Sequence, residues 1–297
     1  MSKRVTWDDQ RIFLAVIDTG SLAGAARQLG LAHPTVRARI EALEDALGTV
    51  LFTRSAQGLA PTALARSLAG PARAMARGAE LFGRVAASPP GGIAGVVRLG
   101  VSDFTGVEVV PPLLARLRRE HPELRIELVL SNAPADLLGQ EVDVAVRHME
   151  PSQGALVMRR LPPVPLGFFA SEDYLRRRGH PASRADLAGH DLIGPDRNPS
   201  DLALAAELLS GRPLSSLALR TDSHPAQAAA ARAGLGIAVL PAPGAEADPR
   251  LRRVLPQDTV ALLPVHVVMH GNLRAVPRVR VVFDTLVQGL EGAAAAP

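Results

Sequence analysis

Three groups of residues in this 297-residue chain carry types and spacings suited to chemistry. The first is His33-Pro34-Thr35 with Arg37 and Arg39, set where a helix should begin. An arginine on an exposed helix start suits a guanine edge, and a threonine suits a thymine methyl or a phosphate. The second is a series of short polar groups, each directly after an apolar run that reads as a strand. Ser102-Asp103-Phe104-Thr105 follows 96–101, Ser131-Asn132 follows 124–130, and Arg147-His148 follows 142–146. Open α/β folds bind ligands at the carboxyl ends of strands and at helix N-termini. The third is Asp222-Ser223-His224, which has the composition of a hydrolytic relay. Neighbours on one turn cannot converge as a relay requires. No Gly-x-Ser-x-Gly, His-Glu-x-x-His, P-loop or Gly-x-Gly-x-x-Gly accompanies it, and Gly234 and Gly236 lack the third glycine. An enzyme on an α/β scaffold is the alternative reading, with no catalytic residue, metal ligand or cofactor assigned. The absence of cysteine removes disulfides, thiolate metal sites and cysteine nucleophiles.

The elements that must position the first group are helical. Residues 8–19 place Phe13, Val16 and Ile17 at helical spacing before Gly20, and Ser21 suits the N-cap of a short helix over 22–29 and is also a candidate DNA contact. Gly30 permits a reversal, Ala26 a close helix crossing, and a third helix runs from about His33 to Leu47 with Pro34 in its first turn. Val36, Ile40, Leu43 and Leu47 form one apolar stripe, leaving Thr35 and Arg37 flanking the exposed face and His33 and Arg39 nearer the core boundary. Spacing alone admits a helix-turn-helix or an ordinary three-helix bundle. Residues 50–54, a Gln57-Gly58 turn and Leu59-Ala60 read as a β-ribbon wing whose Arg54 reaches phosphate or a minor groove. A long helix follows over 62–86, capped by Thr62, in which Pro71 kinks the helix or removes one backbone bond. Its stripe of Leu64, Leu68, Met75, Phe82 and Val85 packs on a second chain or on this chain's own domains.

Charge separates the two ends. Residues 1–87 hold eleven basic against seven acidic side chains, and the remainder is balanced, so the net +4 lies in the N-terminal third. That suggests a polyanionic partner for that third. Aromatic residues are 3% of the chain, too few for a base-stacking platform. Neither a signal peptide nor an apolar run long enough to span a membrane is evident, so a cytoplasmic location with no membrane partner is expected. Ala87-Ser-Pro-Pro-Gly-Gly92 marks a hinge. Beyond it, strand runs (also at 166–170, 192–193, 236–240 and 266–270) alternate with helices over 109–120, 225–233 and 277–290, which argues for parallel α/β units. Ser102, Asn132 and Arg147 are the polar ligand candidates and Phe169 a wall, with Phe104 beside them. Asp103 suits an amine or hydroxyl. Arg147 takes a ligand carboxylate or a salt bridge, within the fold or at its surface, Thr221 and Ser223 are helix caps or ligands, and His224 is structural or exposed.

The order of these features resembles the LysR-type transcriptional regulators over nearly the whole chain. The resemblance is carried by Trp7-Asp-Asp, Phe13-Leu-Ala-Val16, Gly20-Ser-Leu22, Ala25-Ala26, Leu29-Gly30, Pro34-Thr-Val36, Arg39-Ile-Glu-Ala-Leu-Glu44, Leu47-Gly48, Leu51-Phe52-x-Arg54, Gly58-Leu59 and Thr62. Further along it is carried by Pro111-Pro112-Leu, His121-Pro122, Ile126-Glu-Leu128, Asp143-Val-Ala-Val-Arg147, Arg232-Ala-Gly-Leu-Gly-Ile237 and Leu240-Pro241. Ala32-His33 and Arg37 depart from the family's Ser-Gln and Ser, so base preference does not transfer. The resemblance implies an N-terminal all-α winged helix-turn-helix (1–61), a dimerising linker helix (62–88) and an effector domain (93–297). That domain would be α/β and two-lobed, similar to type 2 periplasmic binding proteins, with lobe I about 93–161 and 265–297 and lobe II about 162–264. The implied partners are double-stranded promoter DNA, a small-molecule effector, a second copy (dimer or tetramer) and RNA polymerase.

Overall fold

The computed structural model describes residues 5–55, 58–86, 93–132, 142–149, 156–209 and 211–295. The chain divides into two compact units, Met1–Ala87 and Ser88–Pro297. The Pro-Pro-Gly-Gly hinge and Gln57 of the wing turn lie outside the described residues.

In the first unit α1 (Trp7–Thr19), α2 (Leu22–Leu29) and α3 (His33–Leu47) pack around Ile12, Phe13, Val16, Ala25, Ala26, Val36, Ile40 and Leu43. Each helix starts and stops on local chemistry. Thr6 and Asp9 form a capping box on α1, and Ser21 caps α2 by accepting from the Gly24 N–H at 3.0 Å. Gly24 is required there, because a Cβ on it would come within 2.7 Å of the Thr19 Cβ. Gly30, at φ 65°, makes the reversal between α2 and α3. Val36 is wholly buried, a burial that contributes roughly 1.5–3 kcal/mol and fixes the roll of α3. The fourth member of the expected stripe departs from it: Leu47 is 41% exposed, since the last turn of α3 runs past the core.

The wing is an antiparallel pair, β1 (Phe52–Ser55) and β2 (Gly58–Pro61), with Arg54 opposite Leu59. Thr62 then caps α4 (Ala63–Ala86), accepting from the Ala65 N–H at 3.3 Å, and Pro71 sits within this helix without ending it. The faces of α4 differ in size. Ala65 and Ala72 are buried against the first unit's core with Leu68 and Ala76 beside them, while Leu64, Met75 and Phe82 face solvent.

Among the described residues the second unit is built on a seven-stranded mixed sheet and a separate two-stranded pair, Ile193–Gly194 with Leu219–Arg220. Its elements in order are β3 (Gly95–Val101), a π-helical turn over Thr105–Val109, α5 (Val110–Glu120), β4 (Leu124–Leu130), β5 (Val144–Arg147), β6 (Leu156–Ser171), α6 (Glu172–Arg178), β7 (Ile193–Gly194), α7 (Pro199–Leu209), β8 (Leu219–Arg220), α8 (His224–Arg232), β9 (Ala238–Pro241), α9 (Ala242–Glu246), β10 (Leu251–Val254), β11 (Ala261–His270) and α10 (Pro277–Ala295). Strands follow the order β10-β6-β11-β5-β3-β4, with β9 also on β6.

The expectation of parallel units holds for part of this. β3 pairs parallel with β4 and β5, and β7 parallel with β8. The ladders of β5, β6, β9, β10 and β11 with one another are antiparallel. The reason is that β6 and β11 are long return strands, each serving two lobes, where the sequence shows only their more apolar halves. They pair over Leu156–Leu161 with Val265–His270 and over Val164–Leu166 with Ala261–Leu263, and the register shifts between Leu263 and Val265. Phe169, Ala238, Leu240, Ala228 and Ala231 form one core of the second lobe, and Phe168, Tyr174, Leu175, Leu187 and Ile237 another.

Candidate functional site

The exposed end of α3 lacks a side-chain cap, because Ala32 stands at its N-cap. His33, Pro34, Thr35 and Arg37 are all exposed, and among the described residues the His33, Thr35 and Arg37 side chains make no hydrogen bond or ion pair. Arg54 is likewise exposed and unpaired on β1. Ser21 is partly buried and its oxygen is used as a cap. Arg39, expected nearer the core boundary and among the DNA contacts, is exposed but already partnered. It makes an ion pair of 2.9 Å with Asp9 of α1, whose carboxyl is already held by the Thr6 N–H and hydroxyl. Burial pushes Asp9 upward, but the bonds from Thr6 and Arg39 outweigh it and hold its pKa below the usual value. Arg39 lies on the α1 side of α3, so it bolts the helix down. Arg73 is similarly tied to Asp18 at 2.7 Å, joining α4 to α1.

The second unit encloses a cavity of about 1200 Å³, above the roughly 300–1,000 Å³ usual for small-molecule clefts. Ser102, Phe104, Asn132 and Arg147 stand on its wall, delivered by the ends of β3, β4 and β5. Three expected residues do not. Phe169 is fully buried in the core with Ala228 and Leu240, and its neighbour Phe168 lines the cavity instead, as strand alternation dictates. The Thr221 hydroxyl accepts from the Ser223 N–H at 3.2 Å in a local turn. Asp103 turns its carboxylate away to other partners.

Those partners define a network. Asp103 lies next to β3, and His224 opens α8. The His224 N–H donates to Asp103 Oδ2 at 3.1 Å, its Nδ1 lies 3.2 Å from Asp103 Oδ1, and its Nε2 lies 3.0 Å from Asp201 Oδ2. Both ring nitrogens face carboxylate oxygens, which only accept, so the ring is an imidazolium. The bonds to Asp103 and Asp201 raise its pKa to about 10 against the opposing effect of burial. Burial pushes Asp103 up, but the bonds to His224 and Asn132 outweigh it and its pKa falls. Nearby, Arg232 donates to both oxygens of Glu108 at 2.8 and 2.7 Å and to Asp248 at 2.6 Å. Two ion-pair systems therefore cross the cleft, from the β3–α5 side to the α8 side.

His148 has the opposite chemistry. Its Nδ1 lies 3.1 Å from the Pro264 carbonyl, which can only accept, so Nδ1 carries the proton. Desolvation lowers its pKa, leaving Nε2 as an acceptor for the Thr105 hydroxyl at 3.2 Å, while the Ser102 hydroxyl, 3.3 Å from Nε2, donates to Thr105 Oγ1 at 2.9 Å. Asp222, Ser223 and His224 diverge. Asp222 accepts from the N–H groups of Asp196, Arg197 and Asn198, Ser223 caps α8, and His224 reaches across the cleft. Glu108 and Asp201 escaped the sequence reading, because only the folded chain brings them to the wall that carries His148.

A winged helix-turn-helix followed in the same chain by a two-lobed α/β unit around a central cavity defines a class of bacterial one-component regulators. Residues 90–291 match the family described as LysR substrate binding domain, and residues 7–66 match bacterial regulatory helix-turn-helix protein, lysR family. The chain belongs to the LysR family. An HTH-type transcriptional regulator of Xanthomonas campestris pv. campestris is 29% identical over 64% of this chain and 56% of its own length. The regulator CrgA of Neisseria meningitidis is 28% identical over 63% of this chain and 62% of its own. The aligned stretch thus spans less than two thirds of either relative. The solved structure of CrgA shares the fold at a TM-score of 0.56, with 26% identity over 97% of this chain and 99% of that one. Full-length CbnR, solved in complex with its target DNA, shares it at a TM-score of 0.63, with 20% identity over 96% and 99%.

Proposed function

We propose that this protein is a ligand-responsive, sequence-specific DNA-binding regulator of transcription. The observation that carries the reading is the start of α3. Thr35 and Arg37 flank its exposed face without partners, while Val36, Ile40 and Arg39 fix the helix beneath them. A rigid helix with free donors at its N-terminal end is what major-groove reading requires. Arg54 on the wing then takes a backbone phosphate. Leu64, Met75 and Phe82 share one face of α4, and Phe82 is 78% exposed, which supports pairing with a second copy through that helix. The cavity between the lobes holds the effector, with Ser102 and Asn132 among its polar contacts. Among the described residues no helix is long and apolar enough to cross a membrane.

Footprinting on the DNA upstream of the protein's own gene tests this reading. Protection of a two-fold symmetric site is expected, with half-sites about one helical turn, or a multiple of it, apart. Absence of binding at low salt to that region and to a random-sequence pool alike would overturn it.

A further inference from the structure

We propose that the effector is a monocarboxylate with a sizeable apolar body, its carboxylate held by Arg147; this rests on the effector reading above. Arg147 ends β5 on the cavity wall and is only 4% exposed. Its Nη2 is sealed from solvent, and among the described residues its guanidinium has no hydrogen-bond or ion-pair partner. A buried cation without a counter-charge is costly, so native proteins seldom keep one without a use. Desolvation draws its pKa down to about 10, which leaves it charged at neutral pH. Directly across on β11, His266 is also buried, with Nδ1 unpartnered. Two adjacent side chains on one sheet face thus hold polar atoms that the protein itself does not use.

The rest of the wall sets the ligand class by what it withholds. The other charged lining groups are already engaged: Glu108 by Arg232, Asp201 by His224, and Asp222 by three backbone N–H groups. Among the described residues no free carboxylate remains for an ammonium, which disfavours an amino acid. Nor, among the described lining residues, does a second free cation remain for a dicarboxylate. At the Ser102–Thr105–His148 cluster both hydroxyl protons are used internally, so it offers lone pairs only. Around these groups the wall is apolar, with Val146, Leu161, Phe168, Leu204 and Leu208 among its members. One anion contact set in a large apolar cavity fits an aryl or acyl acid.

The test is calorimetric titration of the full chain with linear acids from butanoate to decanoate and with phenylacetate and benzoate. Each acid is matched by its neutral amide, and adipate, phenylalanine and phenyl phosphate are run alongside. Saturable binding by at least one monocarboxylate is expected, with the matched amide about ten- to a hundredfold weaker. The same loss is expected for that acid on Arg147→Met. Without ligand, Arg147→Met should melt higher than the parent, because a buried unpaired charge is removed. A structural ion-pair role would make it melt lower and would overturn the proposal. Amide binding equal to that of the acid, tighter binding of phenyl phosphate, or no binding by any acid would also overturn it. If another compound binds and alters the footprint, the effector reading survives that failure. If a bound acid leaves the footprint unchanged at saturation, the carboxylate site stands and the effector reading fails.

Discussion

The start of α3 and the cleft of the second unit solve opposite problems with similar side chains. On α3 the arginine and threonine are exposed and unpaired, and everything beneath them is fixed. In the cleft nearly every charged group is partnered, and those partners come from distant parts of the chain. A surface meant to meet a polyanion keeps its donors free. A cleft between lobes uses its charges to join the two sides, as Asp103–His224–Asp201 and Glu108–Arg232–Asp248 do. The difference teaches that a cation's type says little about its role, and that its partner decides. Arg37 and Arg39 are two residues apart, yet one is free and the other is tied to α1.

The strongest way to break this comparison is at His224. Replacing it with Gln removes charged hydrogen bonds to two carboxylates, each contributing about 1.5–3 kcal/mol, and should lower the melting temperature of the second unit accordingly. Its folded pKa of about 10 exceeds the ordinary 6.5. Its stabilisation is therefore fully present below about pH 6.5 and lost as pH rises through about 10. The melting gap between parent and variant should narrow over that window; a gap independent of pH would mean the ring is neutral in the fold. Next in size, Arg37→Ala should cost about 1–3 kcal/mol of discrimination at one base pair, seen in competition binding with altered operators. Its melting temperature should hardly move, as expected for an exposed side chain without a partner. Arg54→Ala should weaken binding to all sequences alike and reduce the slope of log affinity against log salt by about 0.9. A loss confined to one base would instead place Arg54 in a groove. Smallest is Arg39→Ala. Its half-exposed pair with Asp9 contributes about 1 kcal/mol or less to stability, and base preference should stay as it was.

Legibility followed the range of the signals. The three N-terminal helices were readable because caps, stops and the apolar stripe all lie within a few residues, as with Ser21, Gly30 and Val36. The strand ends carrying Ser102, Asn132 and Arg147 were readable for the same reason. The place of Arg39 near the core boundary was readable, but its partner Asp9 was not, because it lies thirty residues away on another helix. Phe169 was taken for Phe168 because alternation gives two faces without saying which is the core. β10 carries two arginines in four residues, and only its pairing with β6 reveals it as a strand. His224 looked unremarkable beside Pro225, since Asp103 lies 121 positions earlier.

The two strands β6 and β11 carry the backbone through both lobes side by side, and the chain passes between the lobes along them alone. A paired ribbon resists shear, which would break its ladder, but it yields to twist. Where pairing lapses between Leu263 and Val265, that yielding is greatest. A swivel of the lobes about the ribbon is therefore the motion it resists least, and the Asp103–His224 and Glu108–Arg232 pairs across the cleft hold that swivel in place.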